Sequence, residues 1–461
     1  MSKFFSREPI DVDFINTKHR RINSKIPCEG SVEILDILDK YESRSMHGQI
    51  PLVWDKAKDF NIYDKLGNKW IDLTSTIFVT NIGHSNSYLL EKLQNLLKSE
   101  LLHTYAYTNE IRAQYLKKLI EFSPRNFEKV FLLSAGTETT EAALKLMRMN
   151  GQKFHSNKKI GIICFEGNWH GRTMGAQMMG GNINQKEWIG YHDPNIYHIR
   201  FPYPWVLEEE KITAQDFLDQ ELNKLTSEKN ISLEEDICGF MLETFQGWGA
   251  VFYPKEFVRC IKEKCVQNNI LLCFDEMQAG FGRTGKKYGF QHYDVEADII
   301  CCGKGIGSGL PLSAVIGSKK VMDLPSVGNM SSTHSANPLV CAAGLATLEF
   351  LENENLINKS KEQGELLHKR LNEIQKRFSN IFYRVEGKGM IAAMIFNQDD
   401  TSIGSEIASK ISWECFKRGV FVVHTGRESI KLGPPLIITD EALIESLDVI
   451  EEVIEIVNNE Y

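Results

Sequence analysis

An α/β fold is predicted, with a large domain built on a mostly parallel central sheet flanked by helices and a smaller α+β domain assembled from both chain ends. Three observations predict it. Between about residues 128 and 317, short apolar runs alternate with helical patterns. The runs are apolar on both faces, as strands buried in a parallel sheet must be. Outside that stretch the pattern changes, with a strand–turn–strand signal before residue 75 and long helices with short strands after Pro338. At 461 residues the chain is too long for one core and fits two domains. The expected division is 1–75 as an N-terminal part of the small domain, 76–335 as the large domain, and 336–461 as the rest of the small domain.

Taken in order, "NIYDKLGNKWIDLT" reads as two strands joined at Leu-Gly-Asn. The runs "KVFLLSAG", "KIGIICFEG", "ICGFMLE", "ILLCFDE", "ADIICCG" and "LSAVIGS" read as buried strands. Helices are expected at "TTEAALKLMRMN" and at "KEFVRCIKEKCVQNN", where Phe257, Ile261 and Cys265 recur at four-residue steps to make one apolar stripe. Further helices follow at "LVCAAGLATLEFLENENL", "KSKEQGELLHKRLNEIQKRF" and "DEALIESLDVIEEVIEIVNN". In such an architecture ligands sit beyond the C-terminal ends of the strands.

Composition narrows the function. Hydrophobic residues make up 42% and charged residues 25%, the proportions of a globular protein. A net charge of −8 argues against nucleic acid or an anionic membrane as the main partner. Arg7, Glu8, Asp11 and Asp13 stand where a signal peptide would be apolar, and no window is apolar long enough to span a bilayer, so a cytoplasmic location is expected. None of the ten cysteines form a C-x-x-C pair, and most lie in apolar runs, so neither a metal site nor a disulfide framework is expected.

The segment "CCGKGIGSGLP" sets Lys304 among glycines. A nucleotide P-loop needs G-x-x-x-x-G-K-[ST], whereas Lys304 is followed by Gly305, with Asp298 where the first glycine belongs. A dinucleotide fingerprint fails too, because the glycines lead into a strand. A surface turn stays open, as does a loop kept free of side chains around a cofactor bonded to the lysine. Asp275 closes an apolar strand, either as a helix cap or as a buried carboxylate needing a cationic partner. Ser134–Thr137 turns from a strand into a helix, so Gly136 and Thr137 offer an anion site or a plain cap. Trp169 and His170 follow another strand, where an indole serves as core or stacks on a flat ring. Lysine nucleophile, buried carboxylate, phosphate cup and aromatic plate together describe a pyridoxal phosphate site.

These motifs, in this order over roughly residues 50–440, resemble the class III (ω-type) aminotransferases of the fold type I pyridoxal phosphate enzymes. The resemblance implies that "SAGTETTEAALK" binds the phosphate through Gly136 and Thr137. It puts Trp169 and His170 of "NWHGRT" at the ring, and Glu243 in "ETFQGWGA" beside it. In "FDEMQAGFGRTGK" it implies Asp275 on the ring nitrogen and Gln278 near the phenolic oxygen. Lys304 falls at the Schiff-base position, and Thr333 of "STHSANP" at the position that reaches the phosphate in a partner subunit, implying a homodimer with shared active sites. Three residues depart from the family pattern. Trp248 stands where many glutamate-using members have glutamate, and Lys431 where an arginine normally binds the donor's carboxylate. Arg427 is an alternative carboxylate ligand, and these three are the candidate substrate contacts. Thr244 replaces the family's proline, an exchange expected to be neutral for chemistry.

The implied activity is a ping-pong aminotransferase that moves an amino group from an amino-acid donor, glutamate or alanine, to a ketone or aldehyde through Lys304. A racemase, epimerase or aminomutase on the same fold is the alternative within this chemistry. A cofactor-binding protein without turnover is the alternative outside it.

Overall fold

The computed structural model of the protein describes residues 5–46, 48, 50–397 and 400–461. They divide into two compact units. One comprises Tyr88–Gly247 and Val251–Ile357, and the other Met1–Ser87, Trp248–Ala250 and Asn358–Tyr461.

Among the described residues of the first unit, seven strands form a single sheet. They are β1 (Lys129–Leu133), β2 (Gly161–Phe165), β3 (Ile196–Ile199), β4 (Ile237–Glu243), β5 (Leu271–Asp275), β6 (Ile299–Cys302) and β7 (Ser313–Gly317). Their order is β1-β7-β6-β5-β4-β2-β3. Every pair is parallel except those of β7, which runs antiparallel to β1 and β6. Six strands coincide with the apolar runs picked out in the sequence. β3 was not among them, because "IYHI" sits at the sheet edge with only alternate residues buried and lacks a continuous apolar signal.

Helices of this unit include α1 (Glu110–Phe122), α2 (Gly136–Phe154), α3 (Lys255–Asn268) and α4 (Pro338–Asn353). α2 packs on β4, β6 and β7 through Ala143, Leu146 and Met147, in one apolar cluster with Ile162, Met241, Cys273 and Val315. The stripe foreseen on α3 is buried at Phe257, Ile261 and Cys265. α4 lies against α1 so closely that a Cβ on Gly344 would come within 2.6 Å of the Tyr115 ring. That contact places residues 338–353 in this unit, so the compact division falls at 357/358 rather than at 335/336, and at 87/88 rather than at 75/76.

The second unit draws on both chain ends. Strands Ile15–Asn16, Arg21–Ile22, Lys56–Lys58, Asn61–Tyr63 and Lys69–Asp72 form an antiparallel sheet, and Val420–Phe421 joins it in parallel against Lys69–Asp72. Trp70 stacks on Phe416 at 5.2 Å, and its Nε1 donates to the Phe416 carbonyl at 2.8 Å. Strands Phe382–Lys388, Ile391–Phe396, Val423–His424 and Ser429–Leu432 form a second antiparallel sheet, with helices Thr401–Lys417 and Asp440–Asn458 in the same unit.

One segment of this unit is strained. Ser75, Thr76, Ile77 and Phe78 all have positive φ, a left-handed turn made without glycine. Each such residue costs roughly 1–2 kcal/mol. One local and one long-range bond help hold the turn: Thr76 N donates to the Thr74 hydroxyl at 3.0 Å, and the Ser75 hydroxyl donates to the Gly433 carbonyl at 2.7 Å. Gly433 also leaves room for the buried Phe78 ring, since a Cβ there would lie 2.2 and 2.3 Å from two ring carbons. Gly433→Ala should therefore destabilise the protein by about 1–3 kcal/mol, the usual cost of overpacking, seen as a lower urea midpoint with an unchanged slope.

Candidate active site

β4, β5 and β6 end side by side, with Glu243 opposite Asp275 and Asp275 opposite Cys301. Parallel strands in register deliver their last side chains to one edge. Beyond that edge lies a cavity of about 210 Å³ whose lining includes Gly136, Thr137, Trp169, His170, Glu243, Asp275, Gln278 and Lys304. Eight of the residues singled out in the sequence thus meet in one place.

Asp275 is buried, and both of its oxygens are used. Oδ2 accepts from His170 Nδ1 at 3.0 Å and Oδ1 from the Met277 N–H at 3.0 Å. Since a carboxylate only accepts, His170 carries its proton on Nδ1. Nε2 of that buried ring meets no partner among the described residues. Glu243 Oε2 accepts from the N–H groups of Trp169, at 3.0 Å, and Gly247, at 3.3 Å. Trp169 is 36% exposed, and the Arg172 guanidinium lies 4.5 Å from its ring centre.

Lys304 follows β6 in a left-handed conformation, at φ 46°. Burial pushes its amine below the ordinary lysine pKa, against the opposing pull of Asp275 and Glu243. The glycines around it serve close packing: a Cβ on Gly303 or Gly136 would come within 2.4 or 2.6 Å of the Met277 sulfur. Opposite stands the N-terminus of α2, whose first N–H groups have no partner within the helix. Glu138 Oε2 accepts from the N–H groups of Ser134 and Ala135, at 2.9 and 2.7 Å, and so holds the entry turn. The Thr137 and Thr173 hydroxyls lie 2.6 Å apart.

Four predicted residues lie elsewhere. Thr333 is exposed, outside the Lys304 cavity, and its carbonyl accepts from His103 Nε2 at 2.8 Å. Trp248, Arg427 and Lys431 belong to the second unit. There the Arg427 guanidinium lies 4.0 Å from the centre of the Trp248 ring and 2.9 Å from Glu428 Oε1. Lys431 is buried, with Nζ 4.7 Å from the centre of the Phe78 ring. Sequence reasoning passed over Met277, Thr173 and Glu276, and gave Thr244 no role at the site. Met277, Thr173 and Glu276 stood inside quoted motifs, but nothing in their spacing separates them from the neighbouring turn residues.

A family model described as aminotransferase class-III matches residues 43–454. The chain belongs to that family. This class-III aminotransferase is 30% identical over 403 residues to an acetylornithine/succinyldiaminopimelate aminotransferase of Buchnera aphidicola, covering 87% of this chain and 92% of that protein. It is also 30% identical over 466 residues to an alanine/serine racemase of Pyrococcus horikoshii, covering 98% and 96%. Among solved structures, the acetylornithine aminotransferase of Elizabethkingia anophelis is similar at 26% identity and a TM-score of 0.76, covering 92% of this chain and 99% of that one. A transaminase from the marine bacterium Virgibacillus shares the fold at a TM-score of 0.84 and 24% identity, with 93% and 99% covered.

The family works with pyridoxal 5′-phosphate, and the cavity fits it. The donor set has an amine for the aldehyde, a buried carboxylate for the ring nitrogen, and a helix N-terminus with hydroxyls for a phosphate. Gly171, at φ 130°, makes room for Thr137, whose hydroxyl would face the phosphate, because a Cβ there would lie 2.3 Å from Thr137 Oγ1. Gly171→Ala should therefore raise the cofactor dissociation constant at least tenfold by fluorescence titration, about 1.4 kcal/mol. Gly190→Ala, at a left-handed glycine with nothing within 4 Å, should leave it unchanged.

Proposed function

We propose that this class-III aminotransferase exchanges an amino group between an amino-acid donor and a keto or aldehyde acceptor at Lys304. The observation that carries this reading is that Lys304 and Asp275 line one cavity with the start of α2. The bound cofactor supplies an aldehyde to take the amino group and a ring to take up the electrons of the broken bond. Asp275, held by His170 and the Met277 N–H, keeps a proton on the ring nitrogen. Trp169 covers the ring face, with Gln278 at its phenolic side. Lys304 Nζ removes the proton from the substrate's amine-bearing carbon and returns it for transfer. Gly136, Thr137 and the α2 N-terminus hold the phosphate.

Three finer assignments belong to the same reading. Arg427, rather than Lys431, binds the donor carboxylate, because a half-exposed guanidinium offers a two-pronged contact and the buried Lys431 does not. Trp248 holds Arg427 in place for it. The enzyme is a homodimer, with the exposed Thr333 completing the phosphate site of a second copy. A cytoplasmic location accords with ten free, buried cysteines. As for what the donor leaves behind, the racemase relative supports a second reading. Incubation with donor and no acceptor separates the two, since transfer gives an oxo acid and an aminated cofactor, and racemisation gives neither.

Lys304→Ala should retain the cofactor and abolish exchange, while borohydride treatment of the unaltered holoenzyme should leave the cofactor attached to residue 304 by mass spectrometry. Arg427→Ala should raise the KM for an amino-acid donor about tenfold or more, the weight of a lost charged pair, and spare a simple amine donor. Lys431→Ala should not distinguish the two donors. Protonating the Lys304 amine stops turnover, so kcat should fall as pH drops through its pKa. Because burial lowers that pKa, the fall should come below the ordinary lysine range. Glu243→Gln, which removes a carboxylate that favours the charged amine, should move the fall to still lower pH.

A further inference from the structure

We propose that Thr244 is a positioning residue that ties the strand end bearing Glu243 to the one bearing Asp275 through the buried carboxylate of Glu276. The inference rests on the aminotransferase reading above and concerns how its ring-nitrogen carboxylate is held in place.

Thr244 directly follows β4 and lines the cavity. All of its polar atoms are engaged. The N–H donates to the Asp275 carbonyl at 3.2 Å, crossing from β4 to β5 one residue beyond the last paired position. The hydroxyl donates to Glu276 Oε1 at 2.5 Å, and its own carbonyl accepts from Tyr293 Oη at 2.5 Å. The methyl group packs where a Cβ on Gly289 would come within 2.8 Å of it, so the loop at Gly289 closes directly over this residue.

Glu276 is fully buried, and its carboxylate receives three donors. They are the Thr244 hydroxyl and the N–H groups of Gly289 and Phe290, both at 2.7 Å. Thr244 is the one side chain among the three. A buried carboxylate that loses a donor carries the full cost of desolvation there. Removing the hydroxyl therefore drives Glu276 either to rearrange or to take up a proton. Burial already pushes its pKa up to about 7, with the charge of Asp275 acting in the same direction. The other titratable groups facing it are Cys302 at the end of β6 and the phenols of Tyr288 and Tyr293.

Either response reaches Asp275, which is covalently joined to Glu276 and bonded to Thr244 through its own carbonyl. Proline, which the family resemblance leads one to expect at this position, has neither an N–H nor a hydroxyl and makes neither bond. The exchange is therefore not neutral. In this chain the spacing between the Glu243 and Asp275 walls depends on a hydrogen-bonded threonine.

The test compares Thr244→Val, which keeps the shape and loses the hydroxyl, with Thr244→Ser, which keeps the hydroxyl. Readouts on the holoenzyme are kcat and KM, the pH dependence of the bound cofactor's absorbance, and hydrogen exchange at the Gly289 and Phe290 amides. Thr244→Val should lower kcat about tenfold with little change in KM, the weight of one hydrogen bond to a charged group. It should also shift the absorbance midpoint and speed exchange at both amides. Thr244→Ser should restore all three. In a double-mutant cycle with Glu276→Gln, the two losses should be strongly non-additive. The inference is overturned if valine behaves like threonine, if serine is as impaired as valine, or if the losses add. A wild-type enzyme that binds no pyridoxal phosphate would instead overturn the aminotransferase reading itself.

Discussion

Everything at the candidate site depends on a buried carboxylate held at the end of a parallel strand. Asp275 is buried, and its neighbours supply hydrogen bonds to both of its oxygens. His170 presents a ring N–H to one oxygen, and the main chain at Met277 presents another to the second. Those bonds fix the direction in which the negative charge points, and the in-register pairing of β4, β5 and β6 sets the height at which it stands. A slip of one residue in β5 would turn Asp275 to the opposite face of the sheet.

Around that charge the chain arranges groups of opposite tendency. Lys304 stands just past β6 in a left-handed backbone, between Gly303, which packs against the Met277 sulfur, and Gly305. Burial favours its neutral form while Asp275 and Glu243 favour its charged form, a balance that suits an amine required to take up and release a proton. On the far side, α2 begins where a strand stops, so its dipole and free amides face the same cavity. Nucleophile, carboxylate and anion cup therefore come from three different strand ends.

The second unit is organised by other constraints. Its core joins the two chain ends, with Trp70 from one stacked on Phe416 from the other. The left-handed turn at 75–78 survives only because Gly433 clears space for Phe78 and offers a carbonyl to Ser75. Lys431, at the position where the family resemblance leads one to expect an arginine, is part of this packing. Its ammonium lies over Phe78, whereas Arg427 keeps a half-exposed guanidinium between an indole and a carboxylate. These two cations stand four positions apart in sequence, yet their surroundings differ in kind.

By itself, the sequence determined the class of fold, six of the seven strands in the large sheet, and eight of the residues that meet around Lys304. The reason is physical: buried parallel strands must be continuously apolar, and the reactive groups follow them at turns that carry their own glycine and threonine signals. Tertiary structure alone decided the rest. The edge strand at 196–199, the placing of the 338–353 helix by Gly344 against Tyr115, the pairing of His170 with Asp275, and the bonds that Thr244 makes to Asp275 and Glu276 all join residues far apart in the chain. No local pattern encodes such contacts, because each depends on how closely two distant backbones approach.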